Sequence, residues 1–204
     1  MFMQDAKAFA PAQKIDLPPV FRRTTATRTG GGMLAGTLVA TADGWRAAAS
    51  LTPGILVETW DGGLCKVASV TGQRLMPERD MRIILVPGGS FGCCSDLWLA
   101  ADQTVLLVSP LIEAVLGAAG ALIRAGDLAG HGTVRACAVR TPMTMISLTF
   151  ERSEFAYVNT GFMVECRADP VRSEGSYLPR LTGSQSRALL ATIAKESRAF
   201  SQAA

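Results

Sequence analysis

The chain has 204 residues, of which 49% are hydrophobic and 18% are charged, which suffices for one domain with a sizeable core but not for two ordinary domains. Its formal net charge is +3, and residues 1–32 alone carry that excess, so the remainder is formally neutral. The basic character therefore lies in the N-terminal tail, which favours a solvated linker over a nucleic-acid-binding surface, and we expect no nucleic-acid partner.

The sequence gives no sign of a secretory signal or of a membrane span. Asp5 and Lys7 interrupt the apolar stretch that a secretory signal needs. The longest apolar run, residues 109–126, contains Glu113 and falls short of the ~20 apolar residues of a membrane span. We therefore expect no membrane span and a cytoplasmic location, with signal-independent export left open.

Residues 1–31 are predicted to form a flexible basic leader. They contain Pro11, Pro18-Pro19 and the first two members of the Gly30-Gly31-Gly32 run, and they show no sustained hydrophobic period. Their cations lack interleaved aromatic residues, which favours a solvated linker over a binding surface.

Short β-rich runs separated by turns begin near Thr37 and predict a mainly β domain. The predicted strands lie at residues 36–41, 45–51, 55–60, 64–70, 81–86, 104–109, 133–139, 145–150, 154–159 and 161–166. Asp61-Gly62-Gly63 predicts a tight hairpin, since such residues adopt positive φ angles. Residues 151–153 are interpreted as the turn of a second hairpin.

Helix is predicted mainly at the C-terminus. Residues 184–200 place Leu189, Leu190, Ile193 and Phe200 on one face, and Ser184 precedes them as a candidate N-cap. Residues 111–118 have the composition of one or two helical turns.

The stretch AGTLVATADGWRAAASLTPGILVETWDGG resembles the first third of the Hint domain, the module shared by hedgehog autoprocessing proteins and inteins, especially its stand-alone bacterial branch. Gly36-Thr37, the DGW turn, Pro53-Gly54 and the WDGG hairpin follow the order of that family. Looser resemblance continues through residues 97–109, 121–130 and 143–166. It implies a compact Hint-like β domain at residues 32–167, followed by a tail at 168–204 that contains the helix.

The resemblance implies an acyl shift, in which a thiol or hydroxyl at the first residue attacks the preceding carbonyl. A histidine in a Thr-x-x-His block protonates the departing nitrogen. Here the nucleophile position falls on Gly32, the Thr or Ser position on Ala100 and the histidine position on Gln103. Gly32 has no nucleophile, and Gln103 cannot transfer a proton near neutral pH. The sequence therefore predicts a degenerate active site and a structural or binding module that has lost autoprocessing.

Two alternatives remain open. The first is an active self-processing domain that uses atypical residues, with Cys166, His131 and Thr37 as candidates. The second is a cytosolic adaptor that binds acidic partners through the basic leader. The sequence identifies neither a protein partner nor an oligomeric state.

Metal and cofactor sites are not expected. His131 is the only histidine and lies between two glycines, without a second histidine or a spaced carboxylate beside it. The five cysteines form no C-x-x-C pair, which favours reduced thiols, and Cys65 and Cys137 are predicted to be small buried residues. No phosphate-binding or dinucleotide-binding loop is present.

Overall fold

The computed structural model describes residues 31–168 and 177–203, with side chains up to Lys195. The predicted leader, apart from Gly31, lies outside the described residues. The strands are β1 (Met33–Leu34), β2 (Leu38–Thr41), β3 (Gly44–Ala47), β4 (Leu56–Thr59), β5 (Gly63–Leu75), β6 (Arg82–Val86), β7 (Leu97–Ala100), β8 (Thr104–Leu107), β9 (Ala121–Arg124), β10 (Arg135–Ala138), β11 (Met143–Phe150), β12 (Glu154–Val158) and β13 (Phe162–Cys166). The helices are α1 (Pro110–Leu116), α2 (Ala125–Leu128) and α3 (Gly183–Ala203).

The strands form one continuous antiparallel arrangement in the order β10-β6-β7-β1-β11-β5-β4-β2-β12-β13-β8-β9, with β3 paired to β2. The long strand β5 joins the two parts of this path, because it pairs with β11 along one section and with β4 along another. The prediction of a mainly β fold with a C-terminal helix is confirmed.

The core is filled by aliphatic side chains from nearly every strand. Val39, Val57, Val105, Ile146 and Val158 are all fully buried. Burial of such a side chain stabilises the fold by about 1.5–3 kcal/mol. The alternation along β4, where Val57 and Thr59 are buried and their neighbours exposed, shows how a period of two directs one face inward.

The predicted β4–β5 hairpin is confirmed, with Thr59 opposite Gly63. Gly63 has φ +64°, a value that glycine adopts without the strain of a side chain. The predicted strand at 45–51 is shorter than expected. It ends at Ala47, and Ala48–Ser50 form a 3-10 turn, which suits the low β propensity of alanine.

The predicted hairpin around residues 151–153 is wrong. β11 pairs with β1 and β5, whereas β12 pairs with β13, β2 and β4. The sequence Glu-Arg-Ser at 151–153 offers no residue suited to a positive φ angle. The tight turn lies instead between β12 and β13, where Asn159 and Thr160 have φ +43° and +81°.

Helix α3 begins at Gly183, and its cap is Thr182 and not Ser184 as predicted. The Thr182 hydroxyl accepts from the Gln185 N–H over 3.4 Å, and Gln185 Oε1 accepts from the Thr182 N–H over 2.9 Å, which is a capping box. Leu189 and Leu190 are buried against the core as predicted. Within the described part of the chain, no helix is both long enough and apolar enough to span a bilayer.

Candidate functional site

The peptide group between Gly31 and Gly32 lies where the chain enters the β domain. The next residue, Met33, pairs with Leu99 of β7 and Ile146 of β11, so β1 runs between these two strands. The residues just before β1 therefore meet the end of β7 and the middle of β11. We call the Gly31–Gly32 peptide group the junction.

Gln103 binds the nitrogen side of the junction. Its Oε1 accepts a hydrogen bond from the Gly32 N–H over 2.6 Å, and its Nε2 donates to the carbonyls of Thr104 and Glu165 over 2.7 and 2.8 Å. The side chain is buried, at 7% exposure. Because both carbonyls accept only, the amide must place Nε2 toward them and its oxygen toward Gly32.

Ala100 binds the carbonyl of Gly32, which follows the junction. The Ala100 N–H donates to the Gly32 oxygen over 2.9 Å. Its own carbonyl accepts from the Gln103 N–H over 3.0 Å, which closes the turn after β7. The structure thus brings together Gly32, Ala100 and Gln103, three residues that were singled out in the sequence. At Ala100 the methyl side chain offers no hydroxyl, so only its backbone contributes.

Ser147 lies on the opposite side of the junction and was missed by the sequence analysis. Its hydroxyl donates to the Gly31 carbonyl over 3.4 Å. The pairing of Met33 with Ile146 and of Leu34 with Met145, continued by one residue, sets Gly32 opposite Ser147. Only that register identifies this serine, because in the sequence it is one polar residue within a strand.

The backbone at the junction favours glycine at both positions. Gly31 has φ +71° and Gly32 has φ +131°. A Cβ on Gly32 would lie 3.1 Å from Ser147 Oγ and 3.2 Å from the Ile146 oxygen, and a Cβ on Gly31 would lie 2.8 Å from Gln103 Oε1. A nucleophilic side chain at residue 32 would therefore meet both strain and crowding.

The other three candidates do not contact the junction. Thr37 is buried, and its backbone bonds to Leu34 and Ala48. His131 lies in the loop after α2, where its backbone bonds to Leu128 and Val134. Cys166 is buried in the core, and burial raises the pKa of its thiol to about 12. Among the described residues, none of these side chains is hydrogen-bonded to the junction.

Cys65 and Cys137 are half-buried, so the prediction that both are buried is wrong. Cys65 belongs to a polar cluster beside the β4–β5 turn, where Thr59 Oγ1 lies 3.5 Å from its sulfur and 3.2 Å from Glu154 Oε2. Burial is the main cause that raises the pKa of both Cys65 and Glu154, and nearby Asp61 adds to it. No group of three His, Cys, Asp or Glu side chains arranged for a metal ion occurs in the described ranges.

Three similar solved structures are an intein-like domain and two inteins. A bacterial intein-like domain from Clostridium thermocellum has 12% identity and a TM-score of 0.48, with 66% of this chain and 97% of that chain covered. A splice-inactive variant of the AceL NrdHF class 3 split intein has 13% identity and a TM-score of 0.46, with coverages of 68% and 98%. The gp41-1 intein has 12% identity and a TM-score of 0.44, with coverages of 67% and 98%. No curated protein matches the chain.

The sequence profile of the Hint domain matches residues 32–166, which is more than half of the chain. That range begins at Gly32 and ends at Cys166, the last residue of β13. The resemblance predicted from the sequence is confirmed, and the chain belongs to the Hint domain family.

Proposed function

We propose that this Hint domain does not cleave its own chain and serves as a structural module that binds the intact junction. The observation that carries this proposal is the orientation of Gln103, whose Oε1 accepts from the Gly32 N–H over 2.6 Å. Cleavage requires that the departing nitrogen gain a proton. A carboxamide oxygen that accepts a hydrogen bond has no proton to give.

Rotation of the Gln103 amide would not supply an acid either. Its Nε2 would leave the Thr104 and Glu165 carbonyls, two bonds of 2.7 and 2.8 Å in a buried setting. Each buried carbonyl left without a partner costs about 1–3 kcal/mol. A neutral amide also lacks the acidity of a histidine, and loss of a general acid slows a reaction by about 10²–10⁴-fold.

The remaining contacts suit binding more than chemistry. The Gly31 carbonyl of the junction accepts from Ser147, and the Gly32 N–H of the junction donates to Gln103. The next carbonyl, that of Gly32, accepts from the Ala100 N–H. These bonds anchor the segment that precedes residue 31 to the β domain. A partner that binds that segment would therefore bind it next to a junction that is fixed on the β domain.

A second candidate function is self-cleavage with Ser147 as the nucleophile, favoured by its Oγ at 3.4 Å from the Gly31 oxygen. In that reaction the Ser147 Oγ–C bond to Gly31 forms, the C–N bond to Gly32 breaks, and the hydroxyl proton moves to the Gly32 nitrogen. Water, or added hydroxylamine, then cleaves the ester, releases the fragment that ends at Gly31 and returns the proton to Ser147 Oγ. The first step needs a base at Oγ. Among the described residues, the Ser147 hydroxyl donates only to the Gly31 carbonyl, which is a very weak base, and this favours the first proposal.

Intact mass spectrometry of the purified full-length chain over several days tests both functions. The samples are incubated alone, with dithiothreitol, and with hydroxylamine, which cleaves esters. We expect a single mass, that of the uncut chain, in all three. A fragment that ends at Gly31 would overturn the proposal. If hydroxylamine accelerates its release and Ser147→Ala abolishes it, the second candidate is correct.

A further inference from the structure

Residues 177–181, here called the strap, follow the part of the chain that matches the family and lie beside strand β9. The Leu122 N–H donates to the Pro179 carbonyl and the Leu181 N–H donates to the Leu122 carbonyl, each over 2.9 Å. Leu178 packs in a cluster with Leu106 and Phe155. The strap thus lies along β9 as an additional extended segment.

Arg180 connects the strap to two residues beside the junction. Its Nη2 lies 2.6 Å from Glu165 Oε1, and its Nη1 donates to Thr104 Oγ1 over 2.8 Å. The Glu165 side chain is only 4% exposed, whereas that of Arg180 is 51% exposed. The second carboxylate oxygen of Glu165 is buried without a partner in the described residues, so Arg180 supplies the compensating charge for this carboxylate.

The same two residues position Gln103. The Thr104 and Glu165 carbonyls accept from Gln103 Nε2. Arg180 therefore joins the side chains of the two residues whose carbonyls orient the amide. Its planar guanidinium has donors at fixed angles, and it links the Thr104 side chain on β8 to the Glu165 side chain on β13.

We propose that Arg180 is a positioning residue for Gln103, so that the strap outside the family region controls how firmly the junction is bound. Loss of Arg180 leaves Glu165 as a buried charge without its counterion, and the carboxylate then moves toward water. Its carbonyl moves with it, the amide of Gln103 loses one of its two acceptors, and the bond to Gly32 weakens. This inference rests on the proposed function, in which the junction stays intact.

Amide hydrogen exchange of the full-length chain, followed by NMR, tests the proposal. In Arg180→Ala we expect the Gly32 N–H to exchange about tenfold faster or more than in the wild type, since local opening governs exchange. The Leu122 N–H, which reports attachment of the strap, should change far less. Arg187→Ala removes another arginine of the same C-terminal region and should leave both amides unchanged.

Two results would overturn the proposal. Equal acceleration at Gly32 and Leu122 would mean that Arg180 only fastens the strap, and an unchanged Gly32 rate would mean that Gln103 is oriented without it. If Arg180→Ala does not fold, Thr104→Val removes one acceptor of the guanidinium and retains the carbonyl that Gln103 uses. Gly32 should then exchange faster by about threefold, and no change would again contradict the role of Arg180.

The mass of each sample is measured in parallel. A cut chain would refute the proposed function whatever the exchange rates are. An intact chain with an unaffected Gly32 amide would refute only the role of Arg180.

Discussion

The Gly32 nitrogen and the Gln103 Oε1 atom lie 2.6 Å apart, although 71 positions separate the two residues in the sequence. The bond runs in one direction only, from the backbone N–H to the amide oxygen. A self-cleaving domain needs a proton donor at this place. In the proposed function, the position that the family resemblance assigns to the acid is therefore held by a hydrogen-bond acceptor.

Restoring the missing groups should restore cleavage. We expect the triple variant Gly32→Cys, Gln103→His, Ser147→Ala to release a fragment that ends at Gly31, faster with dithiothreitol. Ser147→Ala belongs in the design because a Cβ on Gly32 would lie 3.1 Å from Ser147 Oγ. Without it, the double variant should cleave more slowly, because the new side chain is crowded as well as strained at φ +131°.

The control for this experiment is Gly32→Cys with Ser147→Ala and the native Gln103. It has the thiol without the acid, so cleavage should be slower by about 10²–10⁴-fold. Gel densitometry and mass spectrometry give both rates. A folded triple variant that stays uncut would show that the junction lacks a further element of the reaction.

The two glycines of the β4–β5 turn should be sensitive for different reasons. Gly63→Val places a β-branched residue at φ +64° and should lower the free energy of unfolding by about 1–3 kcal/mol. Gly62→Val should cost about as much through crowding, because a Cβ there would lie 2.6 Å from both Cys65 Sγ and Glu154 Oε2. Urea unfolding measures both values.

Gly36→Val is the matched control for these variants, since a Cβ on Gly36 would meet nothing within 4 Å. It should change stability far less than either turn variant. Equal unfolding midpoints for all three would contradict a tight turn at residues 61–63.

The Glu154 carboxyl should make stability depend on pH. Burial, followed by the charge of Asp61, raises its pKa in the folded chain above the ordinary 4.5. The contribution of this carboxyl is therefore complete below pH 4.5 and is lost as the pH rises through the folded-state pKa. We expect Glu154→Gln to gain stability relative to the wild type as the pH rises above 4.5.

Urea unfolding at a series of pH values checks this expectation. Glu113→Gln, a change at an exposed position on α1, serves as the control and should run parallel to the wild type. If the free energy of unfolding of Glu154→Gln also changes with pH in parallel with that of the wild type, ionisation of Glu154 carries no cost in the folded chain.

Variants of Thr182 and Ser184 test which of these two residues caps the N-terminus of α3. Thr182→Ala removes the hydroxyl that accepts from the Gln185 N–H and should cost about 0.5–2 kcal/mol of stability. Ser184→Ala should cost less, since within the described residues its hydroxyl is hydrogen-bonded only to the Thr182 hydroxyl, over 3.2 Å. Circular dichroism during urea unfolding compares the two. A larger loss of stability in Ser184→Ala than in Thr182→Ala would support Ser184 as the N-cap, as predicted from the sequence.

The sequence predicted those features of the fold and the site that depend on residues close together in the chain. Asp61-Gly62-Gly63 predicted a hairpin, the spacing from Gly36-Thr37 assigned the nucleophile position to Gly32, and the block at residues 99–107 assigned the histidine position to Gln103. The turn at Asn159 also had a signal, an Asn two residues before Gly161, but the assignment of 154–159 as one uninterrupted strand concealed it. The wrong hairpin at 151–153 was predicted because a short polar segment separates two strand-like runs.

Ser147 and Arg180 could not be found in this way. Ser147 contacts Gly31 across 116 positions, and the contact depends on the register of β1 against β11. Arg180 acts on Gln103 only through Thr104 and Glu165, so its relation to the junction exists only in three dimensions. In the sequence it is an isolated arginine between a proline and a leucine.

The hydrogen bonds of the junction set an order of events during synthesis. Gly31 and Gly32 leave the ribosome before Ser147, Glu165 and Arg180, which follow Gly31 by 116 positions or more. At about 5–20 residues per second, these three residues emerge roughly six to thirty seconds after the junction. During that interval a protease or a binding partner has free access to the junction. Folding of the finished domain ends this access, so the Gly31–Gly32 bond has one defined period for processing by other proteins.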